Sequence, residues 1–363
     1  MILFFLSVLG FSVIAGTNEE LQYRMPPFKS IDIHTDIQYG RNVTVNGDTV
    51  NLYLDCYRPA NDTLDNRPLI IMLHSGGFVG GEKEDPKNVK ICQALASYGY
   101  VSASVGYRTG IPKKRRRYFI DAILRAIEDT YDAIMFLKSR CDYFGIDTGK
   151  VFLGGISAGA VVALHYAYWD PDDEMRHFDS THALYYVLKK KNEDGLSSIK
   201  GIINCWGSLF TLSFMKNNNI PVLSFHGTRD RMAPYKKGHP LFIPWLPRVY
   251  GSYSVHQYAM HKQNFSVLKT YKGMRHGHNE QSPYLDTTLA IMHNYINCLS
   301  MESQDYKTLF WRFHNTDEGS LVQPELWNVP ISVSPEIVFQ ESGKMIKSSK
   351  GITSQEEKTA TFQ

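Results

Sequence analysis

The chain has 363 residues, 43% of them hydrophobic, with 39 Lys and Arg against 36 Asp and Glu. That length can bury a large core, as one big α/β domain or as two smaller ones. A formal charge of +3 is too small to imply a nucleic-acid partner.

Met1 to Gly16 is almost wholly apolar and gives way to the polar run Thr17-Asn18-Glu19-Glu20. The run is too short for a membrane span and fits a signal peptide with Ala15 or Gly16 at the cleavage site. Three sequons, at Asn42, Asn61 and Asn264, each lie beside turn residues where a glycan could stand at the surface. Together these features predict a secreted or secretory-lumen glycoprotein. In such a compartment the five cysteines, Cys56, Cys92, Cys141, Cys205 and Cys298, allow up to two disulfides. For Cys92 and Cys205, in apolar surroundings, the alternative is a buried free thiol.

Asn46-Gly47 between β-prone runs predicts a two-residue hairpin turn, with the second strand continuing through Tyr57. Pro59 to Pro68 reads as a loop. Leu69 to Leu73 is a buried strand that ends in His74-Ser75-Gly76-Gly77-Phe78. A glycine-rich loop at the carboxyl end of a parallel strand is where α/β proteins build sites. Residues 86–98 predict a helix, Tyr100 to Val105 a strand, and Arg117 to Lys138 the most regular helix of the chain. The basic run Lys113 to Arg117 before it reads as a solvated loop, with a surface for acidic partners as the alternative.

Val151-Phe152-Leu153 is a short apolar strand followed by Gly155-Ile156-Ser157-Ala158-Gly159, which fits G-x-S-x-G. A nucleophilic serine must stand proud of the sheet on a strained turn, where side chains two residues to either side would collide. Residues 170–198 are polar and irregular, with a helical piece near Ala183 to Lys191, and read as a small lid or cap beside the site. Two more strands follow, from Ile199 to Trp206 and from Ile220 to Phe225, the second running into His226-Gly227-Thr228-Arg229-Asp230. Residues 231–251, rich in proline and aromatics, predict an ordered loop. Residues 252–263 predict a helix, Phe265 to Tyr271 a strand, Gly273 to His278 a turn, and Tyr284 to Cys298 a last helix.

Alternating strands and helices predict a mostly parallel central sheet with helices on both faces, preceded by an antiparallel hairpin. The expected organisation is a signal peptide over 1–16, a catalytic domain over 17–300 and an extension over 301–363. Leu309 to Trp311 and Ile337 to Phe339 could add packing segments to that extension. Residues 341–363 are expected to lack fixed structure.

An acyl-transfer serine needs a base, an acid that holds the base, and donors for the oxyanion. Ser157, Asp230 and His276 supply the first three in the order serine, acid, histidine. The N–H groups of Gly76, Gly77 and Ala158 are candidates for the oxyanion hole. His278 competes with His276 as base, and Asp172, Asp173 or Glu174 could replace Asp230. His74 and His226 read as structural, bonding their own loops. Ser75, Phe78 and Trp206 are candidates to touch substrate, with packing an equal reading for Trp206. No cofactor or metal is implied, because the histidines lack recognised metal-ligand spacing.

With these motifs the chain resembles carboxylesterases of the α/β-hydrolase superfamily. It is most similar to hormone-sensitive-lipase-like and acetylxylan/feruloyl-esterase-like members. Those carry H-G-G-G-F/W, G-x-S-A-G, H-G-T-x-D and G-x-x-H-G. The counterparts here are His74 to Phe78, Gly155 to Gly159, His226 to Asp230 and Gly273 to Gly277, within roughly residues 50–298. Ser75 departs from the family by replacing the first glycine of the oxyanion loop. The resemblance implies a serine ester hydrolase with Ser157 as nucleophile, Asp230 as acid and His276 as base. The implied substrate is a small-molecule or polysaccharide-linked ester. An amide hydrolase on the same triad and a non-catalytic binding or adhesion protein are the other readings.

Overall fold

The computed structural model describes residues 28–169, 199–277 and 283–301, and three short strands at 331–334, 337–339 and 345–347. In chain order the elements begin with β1 (Ile31–Val43), β2 (Thr49–Pro59) and β3 (Arg67–Leu73). Then come α1 (Pro86–Ser97), β4 (Val101–Val105), α2 (Arg116–Lys138), the single turn α3 (Cys141–Phe144), β5 (Ile146–Ile156) and α4 (Ala158–Tyr168). After the insertion follow β6 (Ile199–Cys205), β7 (Ser208–Leu209), β8 (Val222–Gly227), β9 (Lys237–Gly238), β10 (Val249–Gly251), α5 (Ser252–His261), β11 (Ser266–Tyr271) and α6 (Pro283–Ser300). The last strands are β12 (Ile331–Ser334), β13 (Ile337–Phe339) and β14 (Met345–Lys347).

Nine strands form one sheet in the order β11-β8-β6-β5-β3-β4-β2-β1-β12. Within it only β2 runs against its neighbours, and every other adjacent pair is parallel. The pleat sorts side chains to two cores. In β3, Leu69, Ile71 and Leu73 join the core under α2, α4 and α5, while Ile70 and Met72 join the one under α1 and α6. A strand covered on both faces has to be apolar throughout, and all seven residues of β3 are buried. The proline-rich stretch 231–251 is ordered, and β9 and β10 in it pair with β7 as a small second sheet. The basic run 113–117 lies exposed at the start of α2. No described helix is long and apolar enough to cross a membrane.

Three expectations need correction. The hairpin turn is a five-residue loop, with Val43 opposite Thr49, closed by Gly47 N–H on Thr44 O at 3.1 Å. The Thr44 hydroxyl also accepts from Asn46 N–H, so the turn centres on Val45-Asn46 and leaves Gly47 to supply the positive φ of 91°. All five cysteines are free, four of them buried in the two cores. Burial pushes the Cys56 and Cys298 thiols up to about 12. Beyond Ser300, β12 pairs in parallel with β1 at the edge of the sheet. Residues 345–347, inside the stretch expected to lack structure, pair antiparallel with 337–339, with the β-branched Val338 opposite Ile346. Expectations for residues 1–27, 170–198, 278–282, 302–330, 335–336, 340–344 and 348–363 fall outside the described residues.

Two sequons are also poorly placed for glycans. Asn264 is 7% exposed, and Asn42 donates both amide hydrogens, to Asp129 Oδ1 at 2.8 Å and Asp132 Oδ2 at 3.0 Å. Asn61 is exposed at a turn.

The Asn42 bonds belong to a buried knot that ties β1, the end of β4 and α2 together. Arg108 donates its backbone N–H and Nε to the fully buried Asp129, its Nη1 to Val43 O, and its Nη2 to Glu128. Removing Asp129 takes away the partner of the Arg108 Nε–H, leaving Glu128 as the guanidinium's remaining carboxylate, and orphans a buried backbone N–H. Asp129→Ala is therefore expected to cost about 3 kcal/mol in urea unfolding. A cost below ~1 kcal/mol, the level of an exposed pair, would contradict this account.

Candidate active site

The site begins with a turn that few residues can make. Ser157 sits between β5 and α4 at φ 56° and ψ −111°, a conformation costly for any residue with a side chain. Two backbone hydrogen bonds hold it there: Ser157 N–H donates to Cys205 O, and Val161 N–H donates to Ser157 O. The flanking glycines are required by contact. A Cβ on Gly155 would lie 2.3 Å from Gly159 C, and one on Gly159 would lie 2.2 Å from Leu73 O. The first turn of α4 thus abuts the carboxyl end of β3. That close approach brings the 74–78 loop beside the serine.

The loop is braced from below. Its His74 ring stacks flat on Tyr107 at 4.0 Å, and the Tyr107 hydroxyl donates to His74 O. Ser75 Oγ donates to Asp85 Oδ2, while Asp85 Oδ1 caps α1 through Lys87 N–H. The residue that departs from the family pattern therefore shapes the loop. Gly76 has a φ of 124°, and its Cβ would meet Gly80 O at 2.0 Å. Gly77, at φ 61°, is exposed with open space before it. Ala158 is the first residue of α4, where helix N–H groups have no intrahelical acceptor. The loop that carries Gly76 and Gly77 and the helix turn that carries Ala158 meet where Gly159 abuts Leu73 and His74. Phe78 and Trp206 are 2% and 4% exposed and pack in the two cores, Phe78 edge-on against Phe119.

Asp230 and His276 arrive on two loops that are stitched together. Arg229 N–H donates to Met274 O, and Gly273 N–H donates to Thr228 Oγ1. Gly227 lets them approach, since a Cβ there would sit 2.4 Å from Met274 O. The result joins three side chains in one line. His276 Nδ1–H donates to Asp230 Oδ2 at 2.6 Å, and Ser157 O–H donates to His276 Nε2 at 2.8 Å. His276 makes both bonds the base must make, whereas His278, Asp172, Asp173 and Glu174 lie outside the described residues. His226 does bond its own loop, at Ala233 O, but its Nε2 also reaches Asp230 Oδ2 at 3.0 Å. Asn204 and Ser252, which bond behind His226, escaped the sequence reading. The available signal was a polar residue in the apolar strand Ile199–Cys205.

The Asp230 side chain is fully buried. Burial pushes its carboxyl up, but hydrogen bonds from His226, His276 and the Ala233 N–H outweigh that and hold it well below the usual carboxylate range. A depressed folded value stabilises the fold above the unfolded value of about 4, and the gain is lost as the pH falls below that. Asp230→Asn should therefore melt below the parent protein at about pH 7, with the gap closing toward about pH 3. A gap that stays constant over that range would show the carboxylate is not held low.

Residues 54–210 match the BD-FAE family model. A probable carboxylesterase 1 from Arabidopsis thaliana is 24% identical over 209 residues, which is 54% of this chain and 58% of that protein. A probable carboxylesterase 7 from the same plant is 30% identical over 124 residues, 32% of this chain and 37% of that protein. The chain thus spans less than two thirds of either relative's length. Among solved structures, esterase 2 of Thermogutta terrifontis phosphoramylated by tabun aligns with 19% identity and a TM-score of 0.49, over 75% of this chain and 95% of its own. The sheet order with its single reversed strand and the strained serine turn make this an α/β-hydrolase fold, and the chain is similar in sequence to BD-FAE over residues 54–210 and, more distantly, to the two carboxylesterases.

Proposed function

We propose that the protein is a serine carboxylic-ester hydrolase that works through an acyl-enzyme on Ser157. The observation that carries this reading is the unbroken line from Asp230 through His276 to Ser157, at 2.6 and 2.8 Å. Ser157 Oγ attacks the ester carbonyl carbon while His276 Nε2 takes its proton. The carbonyl oxygen, now negative, is met by the N–H groups of Gly76, Gly77 and Ala158. As the tetrahedral intermediate collapses, His276 returns the proton to the departing alcohol. Water then attacks the acyl-enzyme with His276 as base, and the carboxylic acid leaves as Ser157 recovers its proton. Asp230 stays ionised throughout and keeps the imidazole oriented.

Secretion is part of the same proposal. It is supported by the apolar run from Met1 to Gly16 and by the exposed sequon at Asn61. Glycopeptide mapping of protein from a eukaryotic secretory host should find the glycan on Asn61 and none on Asn264. Retention of the full chain inside the cell, or a glycan on Asn264, would contradict this.

Turnover of p-nitrophenyl esters from acetate to palmitate gives the direct test. Ser157→Ala should lower kcat by more than about 1000-fold while leaving the melting temperature near that of the parent. Equal turnover by the two proteins would sink the proposal.

A further inference from the structure

The triad does not end at Asp230. Nε2 of His226 faces two acceptors, Asp230 Oδ2 at 3.0 Å and Ala233 O at 3.1 Å. A carbonyl and an ionised carboxylate can only accept, so Nε2 carries the ring hydrogen. Nδ1 lies 2.6 Å from Ser252 Oγ. That oxygen accepts from Asn204 Nδ2 at 3.0 Å. The amide of Asn204 is oriented in turn, because its Oδ1 accepts at 2.9 Å from Gly207 N–H, which can only donate. Its Nδ2 therefore points at the hydroxyls of Ser252 and Ser224, each 3.0 Å away. In the tautomer with its hydrogen on Nε2, His226 Nδ1 can only accept, so the Ser252 hydroxyl gives it its own hydrogen. Asn204, Ser224, His226 and Ser252 are all fully buried, so no solvent competes for these bonds. Gly207 allows the arrangement, since a Cβ there would lie 2.6 Å from Asn204 Oδ1.

We infer that Asn204, Ser252 and His226 form a positioning relay that sets the direction of each hydrogen bond as far as the nucleophile, with His226 as its working end. This rests on Ser157, His276 and Asp230 being the hydrolytic triad. The two oxygens of Asp230 divide the load. Oδ1 accepts from the N–H groups of Met232 and Ala233, and Oδ2 accepts from His226 and His276. The His226 hydrogen occupies one side of Oδ2 and leaves the other for His276 Nδ1–H. His276 then presents the lone pair of Nε2 to Ser157. His226 touches no reacting atom, so it acts through the carboxylate. Without its hydrogen the carboxylate can turn and the imidazole tilts off the serine, which slows chemistry without weakening substrate binding.

The test compares the full chain with Ser157→Ala, His226→Leu, His226→Gln and Ser252→Ala, on p-nitrophenyl acetate, with thermal melting to count folded protein. Leucine removes the hydrogen, whereas glutamine carries an amide donor close to the position of Nε2. His226→Leu should lose about 100-fold in kcat with KM unchanged, and His226→Gln should recover at least about tenfold of that. Ser252→Ala, which removes the hydrogen given to Nδ1, should lose about tenfold in kcat, again at constant KM. Equal kcat for His226→Leu and His226→Gln, or a change confined to KM, would overturn the relay. If His226→Leu does not fold, Ser252→Ala decides, and a parental kcat in that variant overturns it. A parent protein no faster than Ser157→Ala would overturn the hydrolase reading and the relay with it.

Discussion

A single buried carboxylate sets the terms for the site. Asp230 has its side chain out of water yet remains ionised, and burying such a charge is costly unless donors surround it. Four donors do so: two backbone N–H groups and two imidazole N–H groups. Each comes from an element that the sheet must place. The Met232 and Ala233 N–H groups come from the turn after β8, His226 from the last residues of β8 itself, and His276 from the loop after β11. The parallel pairing of β8 with β11, from Val222↔Ser266 to Gly227↔Tyr271, brings the two loops to the same edge. The fold and the charge are thus solved together.

Backbone contacts fix the rest. The chain crosses itself closely at Gly155, Gly159, Gly207 and Gly227, and at each of them a methyl group would meet another residue at under 3 Å. These contacts leave little freedom in where Ser157, Asn204, Asp230 and His276 can sit. Close packing of that kind suits a site that must hold its geometry within a fraction of an ångström. The strain at Ser157 is one consequence, since β5 and α4 leave the turn no relaxed alternative.

Much of this was legible in the sequence because glycine spacing reports steric need directly. The strained serine between two glycines, the acid three residues beyond a buried strand's end and the histidine after the last strand of the parallel series all lie at the positions of their motifs. The mostly parallel sheet could likewise be read from its apolar runs, because strands buried on both faces cannot alternate. Other features left no such mark. Asn204 and Ser252 are 48 positions apart and meet only because β6 and α5 are folded against the same loop. Asn42 and Asn264 carry the same tripeptide signal as Asn61, and burial, which a tripeptide does not encode, separates them. The hairpin loop departs from a two-residue Asn46-Gly47 turn because the Thr44 hydroxyl accepts from Asn46 N–H and shifts the turn by one residue. Strand β12 lies far along the chain from β1, and a long-range edge pairing has no local signature.

The central claim is that Ser157 is a nucleophile activated by His276. The most direct measurement is covalent labelling with a fluorophosphonate, followed by intact mass and peptide mapping, on the parent protein and on His276→Ala. The account expects one adduct, on Ser157, forming quickly in the parent and negligibly in the variant. An adduct on another residue, no adduct on folded parent protein, or equal rates in the two proteins would contradict it.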